Sequence, residues 1–353
     1  MDFVQRLAHV RDRRPGGEPL YYFEFTPDLH DRCKAAFGEN FQRDFGFFGR
    51  HHMGPVRRPD APVYDYAPYF VGEPMKPGST ISDDGVLSVP GSAHHFTHWV
   101  SPLRDVFDED ALRAFPVWRT PEHFTTDNFA ASVAAAHAAG EVATLWIGRM
   151  FEAAWPIRGY ENFLADMAAE PEIAEYFLDN ELRWNLWLTQ QAVTAGVDMI
   201  ITGDDVGSQK GLTMSPETWR ALIKPRWKAI YALAKSINPK VTIWYHSCGN
   251  ILPIIPDLIE IGLDILNPIQ PECMDIDWIW REYHRDLSFD GGLGTQQLMP
   301  HGTPAQVRDE VRRLMDQFGA NGGYILSPAH VLEPEVPLDN ILAAMETARD
   351  YQR

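Results

Sequence analysis

From about residue 130 to the end of the chain, short apolar runs alternate with longer segments of helical period. Apolar runs of this length, separated by amphipathic segments, are typical of strands in a parallel sheet. An earlier run, PLYYFEF, predicts a first strand over residues 19–25. The pattern therefore predicts an α/β protein whose strands close into a barrel. The six later runs cover residues 143–148, 199–204, 241–247, 264–270, 287–292 and 324–330.

Two of the helical segments carry start signals. Ser215 and Thr303 are each followed by proline, so each hydroxyl is placed to cap a helix whose first position is proline. These signals predict helices over residues 215–236 and 303–318. Gly319 is expected to end the second helix in a left-handed conformation.

Residues 30–120 differ from the rest of the chain, since they are rich in Pro, Gly, His and aromatic residues. A hairpin is predicted over residues 84–99. At 353 residues the chain exceeds an ordinary single core, but barrels routinely grow past about 250 residues as one unit. We therefore expect one barrel domain over residues 1–353, with residues 30–120 elaborated over its mouth.

The charge balance is acidic, with 49 Asp and Glu against 31 Lys and Arg. No dense basic run could follow a phosphate backbone, so neither nucleic acid nor an anionic membrane is an expected partner. Three cysteines are too few for a disulfide framework, and the charged residues 1–14 do not suit a signal peptide. No apolar run reaches the roughly 18 residues of a membrane span. These features predict a cytoplasmic protein, and its apolar helices favour a homodimer.

Aromatic and imidazole side chains are numerous: 11 Trp, 12 Tyr, 19 Phe and 13 His. That is more aromatic surface than a core alone requires, and it suits a deep pocket for a small-molecule substrate.

His246 and Cys248 form the first candidate site. Side chains two apart on a strand point to the same side, and these two end the run VTIWYHSCGN. The carboxyl ends of barrel strands form the active face. Because Zn²⁺ favours nitrogen and sulfur donors, the pair predicts part of a zinc site. The alternative is a small thiol that packs as an apolar group.

Other strand ends offer a third zinc ligand. The candidates are Cys273, His330, Glu24 and the adjacent carboxylates of Asp204 and Asp205. Cys273 could equally be an ordinary loop thiol. His330 could be a ligand, a donor to substrate, or a histidine held by hydrogen bonds.

Asp204 and Asp205 stand where a strand runs into a Gly-containing loop and then a helix. Confinement pushes the pKa values of adjacent acids apart, so the pair can act as acid, base or metal ligand. Alternatively, one of them orders the loop through backbone amides. The following helix start near Ser215 could hold an anionic group, with Gln209 and Lys210 as natural contacts.

Several further residues are predicted to bind substrate. Arg149 follows the run 143–148 at the active face, among aromatic residues that suggest a cleft with a few charged anchors. Glu24, Tyr245 and Gln270 lie in or at the end of other predicted strands and are given the same role.

Three stretches together resemble the uroporphyrinogen decarboxylase superfamily. They are YHSCGNILPIIPDLIEIGLDILNPIQPE (residues 245–272), GLGTQQLMPHGTPAQVRDEV (292–311) and GGYILSPAHVLEPEVPLDNI (322–341). The resemblance covers most of the chain from about residue 140 onward. It implies a (β/α)₈ TIM barrel, in agreement with the strand pattern.

That superfamily contains porphyrinogen decarboxylases and zinc-dependent methyltransferases that work with corrinoid proteins. The Arg-rich N-terminal signature of the decarboxylases is not visible in residues 1–60, so the resemblance favours the methyltransferase branch. The His-x-Cys of that branch implies that His246 and Cys248 are metal ligands. The branch usually supplies a further Cys from the final strand, but here residues 327–330 read SPAH.

That departure leaves the metal site open. Either His330, Cys273 or a carboxylate replaces the missing Cys, or the metal has been lost. The resemblance thus implies a zinc site at His246, Cys248 and a third residue, with Cys273 among the candidates.

The resulting hypothesis is a methyltransferase or demethylase. It would move a methyl group between a small O-, N- or S-methylated compound and an acceptor, with zinc as Lewis acid. The acceptor would be a folate-like compound, a thiol, or a corrinoid carried by a partner protein. Asp204 or Asp205 would supply a proton or fix an ammonium group.

Two alternatives remain at this stage. The first is a metal-independent decarboxylase or lyase of the uroporphyrinogen decarboxylase type, acting on a non-porphyrin substrate. In it the carboxylates and His330 would donate protons to a carbanion, and Arg149 would hold a substrate carboxylate. The second is a barrel that binds a ligand or a corrinoid partner without turnover.

Overall fold

Eight parallel strands form one curled sheet in the computed structural model, which describes residues 1–91, 97–117 and 119–351. Around the sheet the order is β1–β8–β7–β6–β5–β4–β3–β2. The Phe48 N–H, beside β2, donates to the carbonyl of Tyr21 in β1 at 2.8 Å, so the two edges meet. The predicted (β/α)₈ barrel is confirmed. Its strands are Leu20–Tyr21 (β1), Arg50–Met53 (β2), Val142–Gly148 (β3), Met199–Gly203 (β4), Thr242–His246 (β5), Ile265–Asn267 (β6), Ser288–Leu293 (β7) and Tyr324–Pro328 (β8).

All six later strands lie where the apolar runs predicted them, but β2 falls inside the region assigned to the elaboration. Its sequence, RHHM, carries no apolar run, because polar side chains here point into the upper barrel. The Arg50 guanidinium lies 3.8 Å from the centre of the Tyr22 ring and pairs with Glu24 at 2.8 Å. His52 Nδ1 lies 2.7 Å from the Thr144 hydroxyl.

Helices connect the strands and cover the sheet. Ser215 accepts from the backbone of Thr218, and Thr303 forms a capping box with Gln306, so both predicted caps are confirmed. The predicted helix 215–236 contains one π-helical turn, Trp219–Ile223. Gly319 is not left-handed; Gly322 takes that conformation instead, with φ of +88°. The longer helices are Phe3–Arg11, Pro27–Phe37, Phe129–Ala138, Phe151–Arg158, Tyr160–Ala169, Pro171–Ala195, Lys224–Ile237, Ile276–Tyr283, Pro304–Gln317 and Leu338–Arg349. Shorter helical segments are Phe41–Asp44, Ala67–Phe70, Glu109–Arg113, Pro121–His123, Pro216–Thr218, Leu252–Ile254, Ile255–Glu260 and Leu298–His301.

A small antiparallel sheet contains the strands of the predicted hairpin, whose residues 92–96 lie outside the described part of the chain. Its strands are Thr80–Ile81, Leu87–Pro90 and Thr97–Val100, and the second pairs with both of the others. A further antiparallel pair joins Val56–Arg57 to Phe124–Thr125. Side chains of the hairpin face those of the helix Phe151–Arg158 across a cavity, at the end of β3.

The core has two layers, set by the alternation of side chains along each strand. Inside the barrel, Leu7 and Val10 of the first helix pack with strand residues such as Ile201 and Trp244. Outward-facing strand residues, Tyr245 among them, pack against the surrounding helices. Every second residue at a strand end is thereby directed into the mouth of the barrel. No helix in the described part of the chain combines the length and apolarity that crossing a membrane requires.

Candidate active site at the barrel mouth

Asp205, His246 and Cys248 converge at the carboxyl ends of β4 and β5. One potential ligand atom from each lies within 4.8 Å of the others. His246 Nε2 is 3.4 Å from Cys248 Sγ and 3.4 Å from Asp205 Oδ1. The arrangement brings together the nitrogen, sulfur and oxygen donors that Zn²⁺ accepts.

The His246 ring is held in one orientation by its neighbour on the adjacent strand. Its Nδ1 lies 2.6 Å from Asn267 Oδ1, and the Asn267 amide nitrogen donates to the Asp290 carbonyl at 3.3 Å. An amide oxygen can only accept, so Nδ1 carries the proton and the Nε2 lone pair faces Cys248 and Asp205. This is the usual second contact of a metal-binding histidine.

Gly203 leaves room for His246, its partner in the register of β4 and β5. A Cβ at Gly203 would lie 2.8 Å from the His246 carbonyl oxygen and 2.9 Å from its Cβ. A side chain there would therefore displace the imidazole.

The loops that follow β4 and β5 are locked together beside Cys248. Its N–H donates to Asp205 Oδ1 at 2.8 Å. Gly249, with φ of +82°, lies so close to Gly207 that a Cβ on it would sit 2.6 Å from the Gly207 carbonyl carbon. The Gly249 N–H also donates to Gln270 Oε1 at 3.1 Å. These contacts fix the spacing between the carboxylate and the thiol.

Asp204 faces the other way from Asp205 and anchors the helix Phe151–Arg158. It is fully buried, and its oxygens accept from the backbone N–H groups of Met150, Phe151 and Glu152 at 2.9–3.1 Å. Burial, and then the Glu152 charge, raise its pKa to about 8 against those three hydrogen bonds. The catalytic role predicted for Asp204 stays a prediction.

Glu152 connects this helix to Asp205. Its Oε2 accepts from the Asp205 N–H at 2.7 Å and from Arg149 Nε at 3.1 Å. Burial, and then the Asp205 charge, raise the pKa of Glu152. Burial also raises the pKa of the Cys248 thiol, and the charges of Asp205 and Glu152 add to this. A cation among these groups would relieve both effects.

A polar cleft of about 610 Å³ opens beside Cys248. Gln209 reaches across part of it, since its amide donates to Gln296 at 3.2 Å. Cys273 lines the cleft but lies outside the group of three converging ligands. The residues predicted from the sequence that line this cleft are Asp205, Gln209, Cys248, Gln270, Cys273 and His330.

The remaining predicted residues lie elsewhere. Tyr245 does not face the cleft: it is fully buried with its ring 5.9 Å from that of Trp227, because it alternates with the inward-facing His246. The substrate-binding role predicted for it stays a prediction. Glu24 pairs with Arg50, and Lys210 lies in an exposed turn. Arg149 lines a separate cavity.

Sequence reasoning missed Asn267 and Trp146. A signal for Asn267 exists, because it ends the run DIL and lies opposite His246 in the register of neighbouring strands. Trp146 reads as an ordinary apolar residue of its run, and nothing in the sequence marks it as lining a cavity.

Comparison with known proteins places this site in a family. The chain is 27% identical over 206 residues to methylated-thiol–coenzyme M methyltransferase of Methanosarcina mazei, which covers 57% of this chain and 51% of that protein. It is 25% identical over 158 residues to uroporphyrinogen decarboxylase of Thermus thermophilus, covering 44% and 42%. The chain thus spans about half the length of the curated relatives it matches.

A solved structure described as a methyltransferase from Methanosarcina mazei shares the fold. The TM-score is 0.65 at 16% identity, over 99% of this chain and 98% of the other. The family model of uroporphyrinogen decarboxylase (URO-D) matches residues 150–351, a segment that contains Asp205, His246 and Cys248. The match spans more than half of the chain, which therefore belongs to the uroporphyrinogen decarboxylase (URO-D) family.

Proposed function

We propose that this chain is a zinc-assisted methyltransferase. It would move a methyl group between a small O-, N- or S-methylated compound and a corrinoid, folate-like or thiol acceptor, a corrinoid being carried by a partner protein. The observation that carries the proposal is the convergence of Asp205, His246 and Cys248, with the His246 tautomer set by Asn267. The similarity to a methylated-thiol–coenzyme M methyltransferase supports the reaction class.

The residues present suit a zinc ion. Three protein donors of mixed N, S and O type are the number found in catalytic zinc sites, where a further position stays free for water or substrate. Asp205 would take the place of the Cys that the methyltransferase branch supplies from its final strand, where this chain has the buried Ala329. When bound, the ion would act as a Lewis acid on the heteroatom that loses methyl or on an acceptor thiol.

The protein's own part is alignment. In-line methyl transfer needs donor and acceptor held at reacting distance, and a fixed site supplies this at low entropic cost. Asn267 orients the His246 ring, and the Cys248 N–H holds the Asp205 carboxylate. The cleft beside Cys248 is large enough to admit an acceptor from solvent.

The alternative of a metal-independent decarboxylase has less support. Its proton donors include Asp204, but both oxygens of this carboxyl group are bonded to the start of a helix and the residue is fully buried. Proton delivery to a substrate would require these bonds to break.

Metal content and methyl transfer test the proposal together. Purified wild-type protein should contain close to one zinc per chain by inductively coupled plasma mass spectrometry. The Cys248→Ser and Asp205→Asn variants should lose most of this zinc. Cys33→Ala, which removes a buried thiol far along the chain, is the matched control and should keep its zinc. Cys273→Ser tests the remaining ligand prediction separately.

Activity is then measured by incubating the zinc-loaded protein with a panel of methylated ethers, amines and thioethers and each acceptor class. Demethylated product is expected from the wild type and not from Cys248→Ser. Folded wild-type protein that neither contains zinc as purified nor takes it up when zinc is added, or a Cys248→Ser variant that retains both metal and turnover, would refute the proposal.

A further inference from the structure

A second cavity lies on the far side of Glu152 from the cleft. It has a volume of about 220 Å³, is partly open to solvent, and lies between the antiparallel hairpin and the helix Phe151–Arg158. We call it the hairpin pocket. The lining residues that matter here are Asp84, Trp99, Arg119, Trp146, Arg149 and Glu152.

The hairpin pocket adjoins the three converging ligands. Glu152, in its wall, accepts the Asp205 N–H at 2.7 Å, and Asp205 is 3.4 Å from His246 Nε2. Glu152 is therefore the side chain that separates the pocket from Asp205, one of the three converging ligands. The pocket is placed to hold the part of a substrate that does not react.

Two indole rings dominate the apolar surface of the pocket. Trp99 is 48% exposed although it packs against Trp155, with ring centres 5.5 Å apart, and Trp146 is partly exposed at the end of β3. Aromatic rings prefer offset-stacked or edge-to-face partners. A cavity of about 150 Å³ holds benzene, so the hairpin pocket has room for one substituted ring.

The carboxylates that line the pocket are already paired with arginines. Asp84 is paired with Arg119, and Glu152 with Arg149 at 3.1 Å. Buried Glu181 lies behind Arg119 at 3.8 Å and adds to the charge that this arginine meets. No carboxylate among the described lining residues is left for an ammonium group.

Arg149 is the cation of the pocket that remains open to a ligand. Its side chain is 46% exposed, and only its Nε is engaged by Glu152. The guanidinium lies over the Trp146 ring, 4.8 Å from the ring centre. A carboxylate attached to a ring stacked beside Trp146 would meet this guanidinium, which binds carboxylates well because of its planar fork of donors.

We propose that the hairpin pocket binds the ring of a methoxylated aromatic acid, with Trp99 and Trp146 against the ring and Arg149 on its carboxylate. The methoxy group would then point past Glu152 toward the converging ligands. The identity of the ring rests on the pocket alone, whereas its role as methyl donor rests on the proposed function. In that transfer the O–CH₃ bond breaks, an acceptor thiolate donates the electron pair of the new S–CH₃ bond, and the aryl oxygen keeps the pair it had shared.

Binding can be measured without turnover by isothermal titration calorimetry of the full chain with 3-methoxybenzoate. Trp99→Ala should weaken binding about tenfold, the size expected from lost stacking and burial of one indole. Trp278→Ala removes a tryptophan of similar exposure, 40% against 48%, on the helix Ile276–Tyr283, and should leave the affinity unchanged. The saturated analogue 3-methoxycyclohexanecarboxylate keeps the charge and the ether and should bind more weakly to the wild type.

The contact between Arg149 and the ligand carboxylate is tested by comparing the acid with its methyl ester. Arg149→Gln should weaken binding of 3-methoxybenzoate about tenfold and leave its methyl ester unaffected, because only the acid has the charge to lose. Equal affinity of wild type and Trp99→Ala, equal binding of the aromatic and saturated acids, or no binding to the wild type would each overturn the proposal.

The Cys248→Ser variant separates the two proposals. Retained binding of 3-methoxybenzoate in this variant, alongside lost zinc, supports both. Retained binding in a protein that never carries zinc or transfers methyl refutes the proposed function and leaves the ring site standing.

Discussion

The contact between Asn267 and His246 allows a quantitative test of the proposed metal site. In Asn267→Ala the 2.6 Å acceptor for Nδ1–H disappears, and with it the restraint that turns Nε2 toward Cys248. Removing such outer contacts of a metal-binding histidine typically weakens metal affinity by about 10–100-fold. That corresponds to about 1.4–2.7 kcal/mol of binding free energy. Asn267 never touches the metal in this arrangement, so it acts as a positioning residue.

The assay is competition for Zn²⁺ against a chromogenic chelator at fixed pH. Asn267→Asp keeps an acceptor at the same distance and should recover most of the affinity. Asn128→Ala removes a partly buried amide whose nitrogen donates to the Gly54 carbonyl at 3.2 Å, and should match the wild type. If Asn267→Ala binds zinc within twofold of the wild type while remaining folded by urea titration, the ring is not oriented in this way and the reasoning fails.

Three further outcomes follow from the packing. Gly203→Ala should lower zinc affinity in the same competition assay, because its Cβ would press on His246, whereas Gly54→Ala, with open space around it, should not. Glu181→Gln should remove a pH dependence of unfolding. Burial raises the Glu181 pKa from an ordinary 4.5 to about 7, so the folded state keeps a proton that the unfolded state loses. The free energy of unfolding of the wild type should therefore fall by about 3 kcal/mol between pH 4.5 and 7, and that of the variant should not. Urea titrations across that pH range measure the difference. Arg158→Met should lower the free energy of unfolding by about 3–5 kcal/mol, because it leaves Asp166 buried without its 2.7 Å partner; urea titration at neutral pH measures this, and a loss below 1 kcal/mol would contradict it.

The barrel and part of the site could be predicted from the sequence because both depend on local rules. Apolar runs give strands, and strand ends give the mouth, so His246 and Cys248 share a side by their spacing alone. The same rule, applied with the correct phase, excludes Tyr245 from the mouth.

What could not be predicted depends on contacts between distant segments. Asp204 and Asp205 are equivalent in the sequence, and only the approach of the helix Phe151–Arg158 makes the first a buried helix anchor. The polar strand β2 shows no apolar run, since Arg50 has its partner in Glu24, 26 residues earlier. The hairpin pocket likewise arises only when the early antiparallel sheet packs over β3.

The charges at the mouth give the strongest physical reason to expect a cation there. Asp204 is satisfied by three backbone N–H groups, and Glu152 by Arg149 and one N–H. Asp205 and Cys248 lie beside them. The Cys248 backbone N–H donates to the Asp205 carboxylate, and the Nε2 lone pair of His246 faces both the carboxylate and the sulfur. Burial raises the pKa of the Cys248 thiol, so a thiolate there would need a positive charge beside it. A divalent ion would accept the nitrogen, sulfur and oxygen donors together, and the close contact of Gly207 with Gly249 holds the two loops that carry Asp205 and Cys248.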